Sequence, residues 1–370
     1  MDENWNGIYG QRQVLNTLEK FFLSDRVSHA YLFHGPPGSG KHIAAVRFAA
    51  LLNSSENTGE RNISKKINAL EEPYIKYIFP LPRGKGETPE DTPTGKLTPD
   101  QIKELNSHLK AKAENPYYNF RMEKASSIKI NSIRDLKRFI SLNYSDLKYR
   151  TIIISEAHLM NAEAQNALLK SLEEPPEGIV FILLTSHPDQ LLETIRSRSW
   201  QVKFAPLIEE NVKNILINNF KIDETLASKA ALFSNGSVTH ALELLENNFE
   251  ELLEKTIFIL RYSLVGRYNS ALTEINDFSK SNDAKTLKLI IQMIIKWLND
   301  VIKDKVNIEK FYFMEFKDTM KKFNQKFPEA EIDELVIKLN RLSSSIEKNV
   351  SLNLIALNII FELGSLQNRT

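Results

Sequence analysis

The chain has 370 residues, 42% of them hydrophobic, with 48 Lys+Arg against 47 Asp+Glu for a net charge of +1. That composition excludes a wholly disordered chain and a histone-like polycation, and the length suits two or three domains. Cysteine is absent, which excludes disulfides, thiol catalysis and every zinc site built on thiolates.

The start, Met1-Asp2-Glu3-Asn4-Trp5, carries no basic and apolar leader. The richest apolar stretch, Leu287–Trp297, is short and broken by Lys288 and Lys296. A cytoplasmic protein with no membrane partner is the expectation. In chain order, Val14–Leu23 reads as a helix after the Gly7-Ile8-Tyr9-Gly10 turn. Ala30–His34 reads as a short apolar strand, Gly35–Lys41 as a glycine-rich loop, and Ile43–Leu52 as a helix with an apolar stripe. Asn53–Asn68 is polar and reads as a loop, and Tyr77–Leu81 as a strand. Pro82–Pro99 reads as an exposed excursion and Pro99–Ala113 as a helix. Ile128-Lys129-Ile130 reads as a brief strand before an amphipathic helix over Ser132–Ser141.

Arg150–Ser155 holds four β-formers in a row, as a parallel strand covered on both faces requires. Asn161 is the expected N-cap of a helix over Ala162–Leu172, stopped by Pro175-Pro176. Ile179–Thr185 is the next strand, Leu191–Arg196 a short helix and Gln201–Phe204 the last strand. Beyond Pro206 the pattern is helical. Leu207–Phe220, Glu224–Ser234 and Ser237–Leu245 form a compact trio. Phe249–Val265, Tyr268–Phe278, Asp283–Val306, Ile332–Ser345 and Leu352–Leu363 are longer helices, with a polar, loop-like stretch over Asp300–Gln325. The reading is therefore an α/β domain over 1–206 with an insert at about 53–125, a small three-helix lid over 207–247, and an all-helical domain over 248–370.

Gly35-Pro36-Pro37-Gly38-Ser39-Gly40-Lys41 fits GxxxxGK between a strand and a helix. In that context backbone N–H groups curl around phosphate oxygens and Lys41 meets the outer phosphates. The motif departs at its last position, where His42 replaces the Ser or Thr that holds Mg²⁺. His42 is read as a helix-start residue with no metal role. A P-loop ATPase also needs an Asp–Glu pair after the strand Ile152–Ile154, and here the pair is Ser155-Glu156. Both departures fall on the Mg²⁺ side, so the residues offer no metal site and predict little hydrolysis by the chain alone, with Glu156 a vestige. Gly35, Gly38, Ser39, Gly40, Lys41 and His42 remain the candidate nucleotide-binding residues. Thr185, ending its strand, either senses a γ-phosphate or caps a turn. Arg196-Ser197-Arg198-Ser199 forms a basic edge, and arginine is a rigid five-donor fork suited to phosphate. Between Lys103 and Arg150 eleven cations face five anions. That stretch reads either as a solvated face or as a contact for a phosphate backbone or an acidic partner.

Together these segments resemble the clamp-loader branch of the AAA+ family. The resemblance is carried by Ile8–Gln11, His29–Phe33 leading into Gly35–Lys41, Ile152–Asn161, the run Ala164–Pro176, Phe181–Thr185 and Thr194–Ser199. It covers about Asn4–Leu245, and the C-terminal helices match the family's collar in character and in Asn349–Leu363. The resemblance implies an AAA+ P-loop core, a lid and a collar that assembles subunits into a ring, with ATP as the candidate cofactor. It aligns Ser197-Arg198-Ser199 with the family's Ser-Arg-Cys finger, so Arg198 is the residue expected to reach, in trans, an ATP site on an adjacent ATPase subunit. The family's ATPase members carry Gly-Ser-x-Arg in the lid, whereas Gly236-Ser237-Val238 is followed here by Thr239. The resemblance thus implies a non-hydrolysing stator within a DNA polymerase holoenzyme, beside gamma/tau ATPases and delta, acting on the sliding clamp and primed DNA. The family's four-cysteine zinc module is replaced by the insert. Two other readings stand: a catalytic gamma/tau-type ATPase, and an AAA+ scaffold outside replication.

Overall fold

Five segments pair side by side as β1 (Ala30–His34), β2 (Ile75–Ile78), β3 (Arg150–Ile154), β4 (Ile179–Thr185) and β5 (Trp200–Lys203), the three central ones apolar and the edge strands mixed. The computed structural model describes residues 5–54, 60–71, 74–141, 147–278, 284–346 and 350–366. The strand order is β2-β3-β4-β1-β5, and every pairing among these strands is parallel. Central parallel strands must be covered on both faces, and all seven residues of β4 are buried, whereas the edge strand β5 buries only Val202.

Alternate side chains feed two cores. On one face Tyr31, Phe33, Ile153, Ile182 and Leu184 pack with Leu18 of α1 (Arg12–Leu23) and Phe48 of α2 (Lys41–Leu52). On the other, Ala30, Leu32, Ile152, Ile154, Phe181 and Leu183 pack with residues of later helices. These follow α3 (Glu60–Asn68) and α4 (Pro99–Glu114), and are α5 (Ile130–Arg134), α6 (Leu136–Ser141) and α7 (Ala162–Glu173). Asn161 caps α7 as its sequence predicts, accepting the Ala164 N–H at 2.9 Å. Then come α8 (Glu193–Ser197), α9 (Glu209–Phe220), α10 (Glu224–Phe233) and α11 (Val238–Glu246).

The chain folds as two units, 1–241 and 242–370. The second is all helical: α12 (Phe249–Leu264), α13 (Tyr268–Phe278), α14 (Ala284–Lys305), α15 (Lys317–Lys326), α16 (Ile332–Ile346) and α17 (Leu352–Gly364). Ile257, Leu260, Ile290, Ile294, Leu339, Ile359 and Leu363 are buried in it, as is Trp297, whose ring meets Phe323 edge-on at 5.2 Å. No helix among the described residues is long and apolar enough to cross a membrane.

Several local expectations are corrected. Asn53–Asn68 is not all loop, because α3 occupies Glu60–Asn68. Buried Ile63 and Ile67 give that polar segment an apolar anchor at i, i+4 spacing. The remainder of the expected loop, 55–59, lies outside the described residues, as does Asn349 at the start of the collar match. The strand expected at Tyr77–Leu81 runs over Ile75–Ile78, set by pairing with Thr151–Ile154. Ile128–Ile130 is not a strand. Only Ile128 bridges, to Met160, and Ile130 already begins α5. The single helix expected over Ser132–Ser141 is two short ones, α5 and α6. In the polar stretch Asp300–Gln325, α14 continues to Lys305 and α15 forms. Asp300, fully buried, bonds Lys303 at 2.8 Å and accepts the Phe313 N–H at 2.8 Å, which pins the connector between them.

Candidate nucleotide cleft and arginine edge

The glycine-rich loop leaves the C-terminal end of β1, where parallel α/β sheets hold their ligands. Its shape is fixed by close approach. Gly35 sits at φ +149°, and a Cβ there would collide with the Phe204 carbonyl. Gly38 sits at φ +68°, and a Cβ would lie 2.5 Å from the Thr239 N. Only glycine meets both demands. Gln11 clasps the loop from outside, donating to Ser39 O at 3.2 Å and to Ala205 O at 2.7 Å. The Ser237 hydroxyl donates to Pro37 O at 2.8 Å. The start of α11 therefore rests on the loop.

Lys41 begins α2 and is buried. Its ammonium donates to Gly35 O at 2.7 Å and Pro36 O at 2.6 Å. Burial pushes it down to about 8, against the opposing pull of Glu156. Ser39 and His42 each hold a buried polar atom, Oγ and Nδ1, with no partner. The His42 ring leans on Tyr77, with centroids 5.2 Å apart, and burial holds its pKa well below the usual value. Neutral imidazole on an aromatic wall is a poor ligand for Mg²⁺, and Ser155 offers no carboxylate. The residues present fit a phosphate chain and do not fit a divalent ion.

Glu156, at φ +50°, stands 3.6 Å from His158 Nε2. Thr185 is fully buried. Its hydroxyl accepts the His187 N–H at 3.0 Å and lies 3.0 Å from His158 Nδ1. The Thr185 hydroxyl thus makes a turn contact at the end of β4.

A cleft of about 490 Å³ gathers Gly38, Gly40, Lys41, His42, Ser155 and Glu156. Sequence reasoning missed its other wall. Lys112, Tyr117, Tyr118 and Arg121 come from the insert, and His158 and His187 from the ends of β3 and β4. The Tyr117 hydroxyl accepts the Tyr9 N–H at 3.4 Å, tying the insert to the segment before α1. A signal for Lys112 existed. It continues the inward stripe Leu105, Leu109 on α4, where an apolar residue is the norm.

Arg198 lies elsewhere. Register pairs Tyr31 with Trp200 and His34 with Lys203, so Arg198 precedes the N-terminal end of β5 while the loop follows the C-terminal end of β1. Roughly 15 Å of strand separates them, at ~3.3 Å per residue. The guanidinium is 3.0 Å from Glu173 Oε1 at the end of α7 and donates to Thr194 O at 3.3 Å. Ser199 is buried and bonds Ile195 O at 2.9 Å, fixing the turn that carries Arg198. The basic stretch Lys103–Arg150 is not one face. Lys112 is buried and Lys129 partly buried on internal partners, and Arg150 donates to Phe139 O and Ile140 O at 2.7 and 2.9 Å.

This sheet order, with a glycine loop and a buried lysine at the head of the following helix, defines a P-loop α/β fold of the AAA+ kind. The chain belongs to the family described as "DNA polymerase III, delta subunit", whose model matches residues 10–208. It is 27% identical over 249 residues to DNA polymerase III subunit tau of Bacillus subtilis (strain 168), covering 66% of this chain and 37% of that protein. It is 28% identical over 252 residues to DNA polymerase III subunit gamma of Buchnera aphidicola subsp. Schizaphis graminum, covering 66% of this chain and 58% of that one. The chain thus spans between about a third and three fifths of the length of these two relatives. Among solved structures, a DNA polymerase III gamma subunit-related protein of Thermotoga maritima aligns with TM-score 0.44 at 17% identity, over 94% of this chain and 98% of that one. The Thermotoga maritima RuvB Holliday junction branch migration motor aligns with TM-score 0.39 at 14% identity, over 86% and 92%.

Proposed function

We propose that the chain is the delta-prime, or stator, subunit of a DNA polymerase III clamp loader. In this reading it stands beside a gamma/tau-type ATPase subunit and places Arg198 in that neighbour's ATP site. Delta, the sliding clamp and primed DNA are the further partners. The observation that carries the reading is the position of Arg198. It is held at the end of the sheet remote from its own loop, so its reach is outward. The poor fit of His42 and Ser155 to Mg²⁺ supports a chain that assists hydrolysis without performing it. Gly35, Gly38, Ser39, Gly40 and Lys41 would hold the phosphates of ATP, which here serves as a bound ligand.

The test is steady-state ATP hydrolysis by the catalytic subunits with clamp and primed DNA, run with wild-type chain, Arg198→Ala chain and no chain. Wild type should be required, and Arg198→Ala should fail while joining the complex normally. An unchanged rate with the variant would sink the role given to Arg198. The gamma and tau relatives favour a second reading, a catalytic gamma/tau-type ATPase. Turnover by the isolated chain that is lost in Lys41→Ala would establish that reading instead.

A further inference from the structure

The segment between α2 and β3 delivers a second lysine to the cleft. Lys112 of α4 is only 8% exposed. Its ammonium donates to Pro116 O at 2.8 Å and Tyr118 O at 2.6 Å, which leaves one of its three N–H groups for a ligand. Lys41, bonded to two carbonyls of its own loop, is in the same condition. Lys41, Lys112 and Arg121 line the cleft, and Glu156 is the single carboxylate among its lining residues. Each lysine feels the charge of Glu156, and Lys41 repels Lys112. The His42 Nδ1 is buried without a partner on the same wall. Burial pushes Lys112 down to about 7 and Lys41 to about 8, with one carboxylate between them to hold their charge, so an anion that enters the cleft restores the charge of both and negative charge is what the site lacks. The positions that would anchor a divalent ion carry an imidazole and a hydroxyl that do not fit it.

We propose that the cleft binds a di- or triphosphate chain without a divalent metal, Lys112 of the insert supplying beside Lys41 the charge that Mg²⁺ supplies in P-loop ATPases. The ligand is a nucleoside polyphosphate or an inorganic one, since both present the same oxygens. The inference concerns the single chain and does not depend on Arg198 or on assembly.

The experiment is equilibrium binding by calorimetry to the full chain, with ATP, ADP and tripolyphosphate, each in EDTA and in excess Mg²⁺. Wild type should bind in EDTA at least as tightly as in Mg²⁺. Lys112→Met should weaken binding in EDTA by about tenfold or more. Lys112→Arg, which keeps the charge, should retain most of it, and that separates charge from a merely structural role. Preference for ATP over tripolyphosphate identifies a nucleotide, and equal binding identifies an inorganic ligand. Binding that appears only with Mg²⁺, no binding of any probe, or full binding by Lys112→Met would each overturn the proposal. Should Lys112→Met fail to fold, the comparison of EDTA with Mg²⁺ on wild type decides alone. Either failure leaves the role of Arg198 to its own test.

Discussion

The two ends of the parallel sheet treat their cations in opposite ways. At the C-terminal ends of the strands, Lys41 and Lys112 are buried and turned onto backbone carbonyls. At the N-terminal ends, Arg198 stands 38% exposed, held by a carboxylate and one carbonyl. A buried lysine meets only what enters its cleft. A rim arginine on a rigid turn meets what docks against it. Under the proposed stator reading, the phosphate-binding half of the sheet and its arginine half serve different active sites, and the difference in burial is what that reading requires.

The comparison is broken most forcefully at Arg198. Arg198→Ala should lower DNA-stimulated hydrolysis by the assembled complex by about 10³-fold, the scale of a transition-state arginine. Its own melting should change little, because a half-exposed ion pair contributes ~0–1 kcal/mol. Rate and thermal melting, read on the same preparation, separate the two ends of the sheet.

A smaller effect is expected at the insert that forms the cleft wall. Glu87 is buried on Lys129, at 2.7 Å, and accepts from Asn131 at 2.6 Å and from the Gly84 N–H at 2.7 Å. Burial works to raise its carboxyl, but the bonds from Lys129, Gly84 and Asn131 win and hold it below the usual range. A depressed folded pKa contributes stability above the unfolded value of ~4.3, and that contribution is lost as pH falls through the folded value. Glu87→Gln should therefore cost about 3 kcal/mol at pH 7, since Lys129, its side chain 10% exposed, loses its counter-charge. The gap from wild type should narrow toward pH 3. Urea melts at pH 7, 4 and 3 give both readings, and a gap constant with pH would show that the ion pair is not its source.

What the sequence made legible follows from local physics. β1, β4 and the loop between β1 and α2 were plain because each lies in a short window of fixed type: an apolar run, then glycines, then a lysine. The fold class and the strand-to-loop order follow from such windows. α3 was hidden because its two apolar anchors sit among polar residues, and α15 because a charged helix has little face to show. The cleft's second wall was illegible for another reason. Lys112 and Lys41 are brought together by the packing of α4, and no spacing along the chain encodes that meeting. For the basic stretch, the sum of charge is legible but its partners are not, because Glu87 lies far from Lys129 in the chain and nearby backbone carbonyls, which carry no sequence signal, take up Lys112 and Arg150.

A subtler perturbation tests whether the start of α11 and the loop move as one. Gly38→Ala adds a Cβ at φ +68° that would lie 2.5 Å from the Thr239 N. The loop must yield or the start of α11 must lift, and the substitution should cost about 2 kcal/mol. Amide exchange should quicken at Val238 and Thr239 ahead of the sheet, whereas exchange unchanged at α11 would separate that helix from the loop.

The smallest effect belongs to the carboxylate that steadies the rim arginine. Glu173 is itself about half exposed, and its bond to Arg198 is 3.0 Å long. Glu173→Gln keeps an acceptor and removes a charge, so the guanidinium loses an anchor worth ~0.5 kcal/mol. Melting should not move measurably. If Arg198 must be positioned before it meets a partner, hydrolysis by the complex should fall about twofold to fivefold, and high salt should shrink the gap by weakening the wild-type pair. If Arg198 instead leaves Glu173 on docking, removing the competitor should raise the rate. The sign of that small change therefore distinguishes an arginine held ready from one held back.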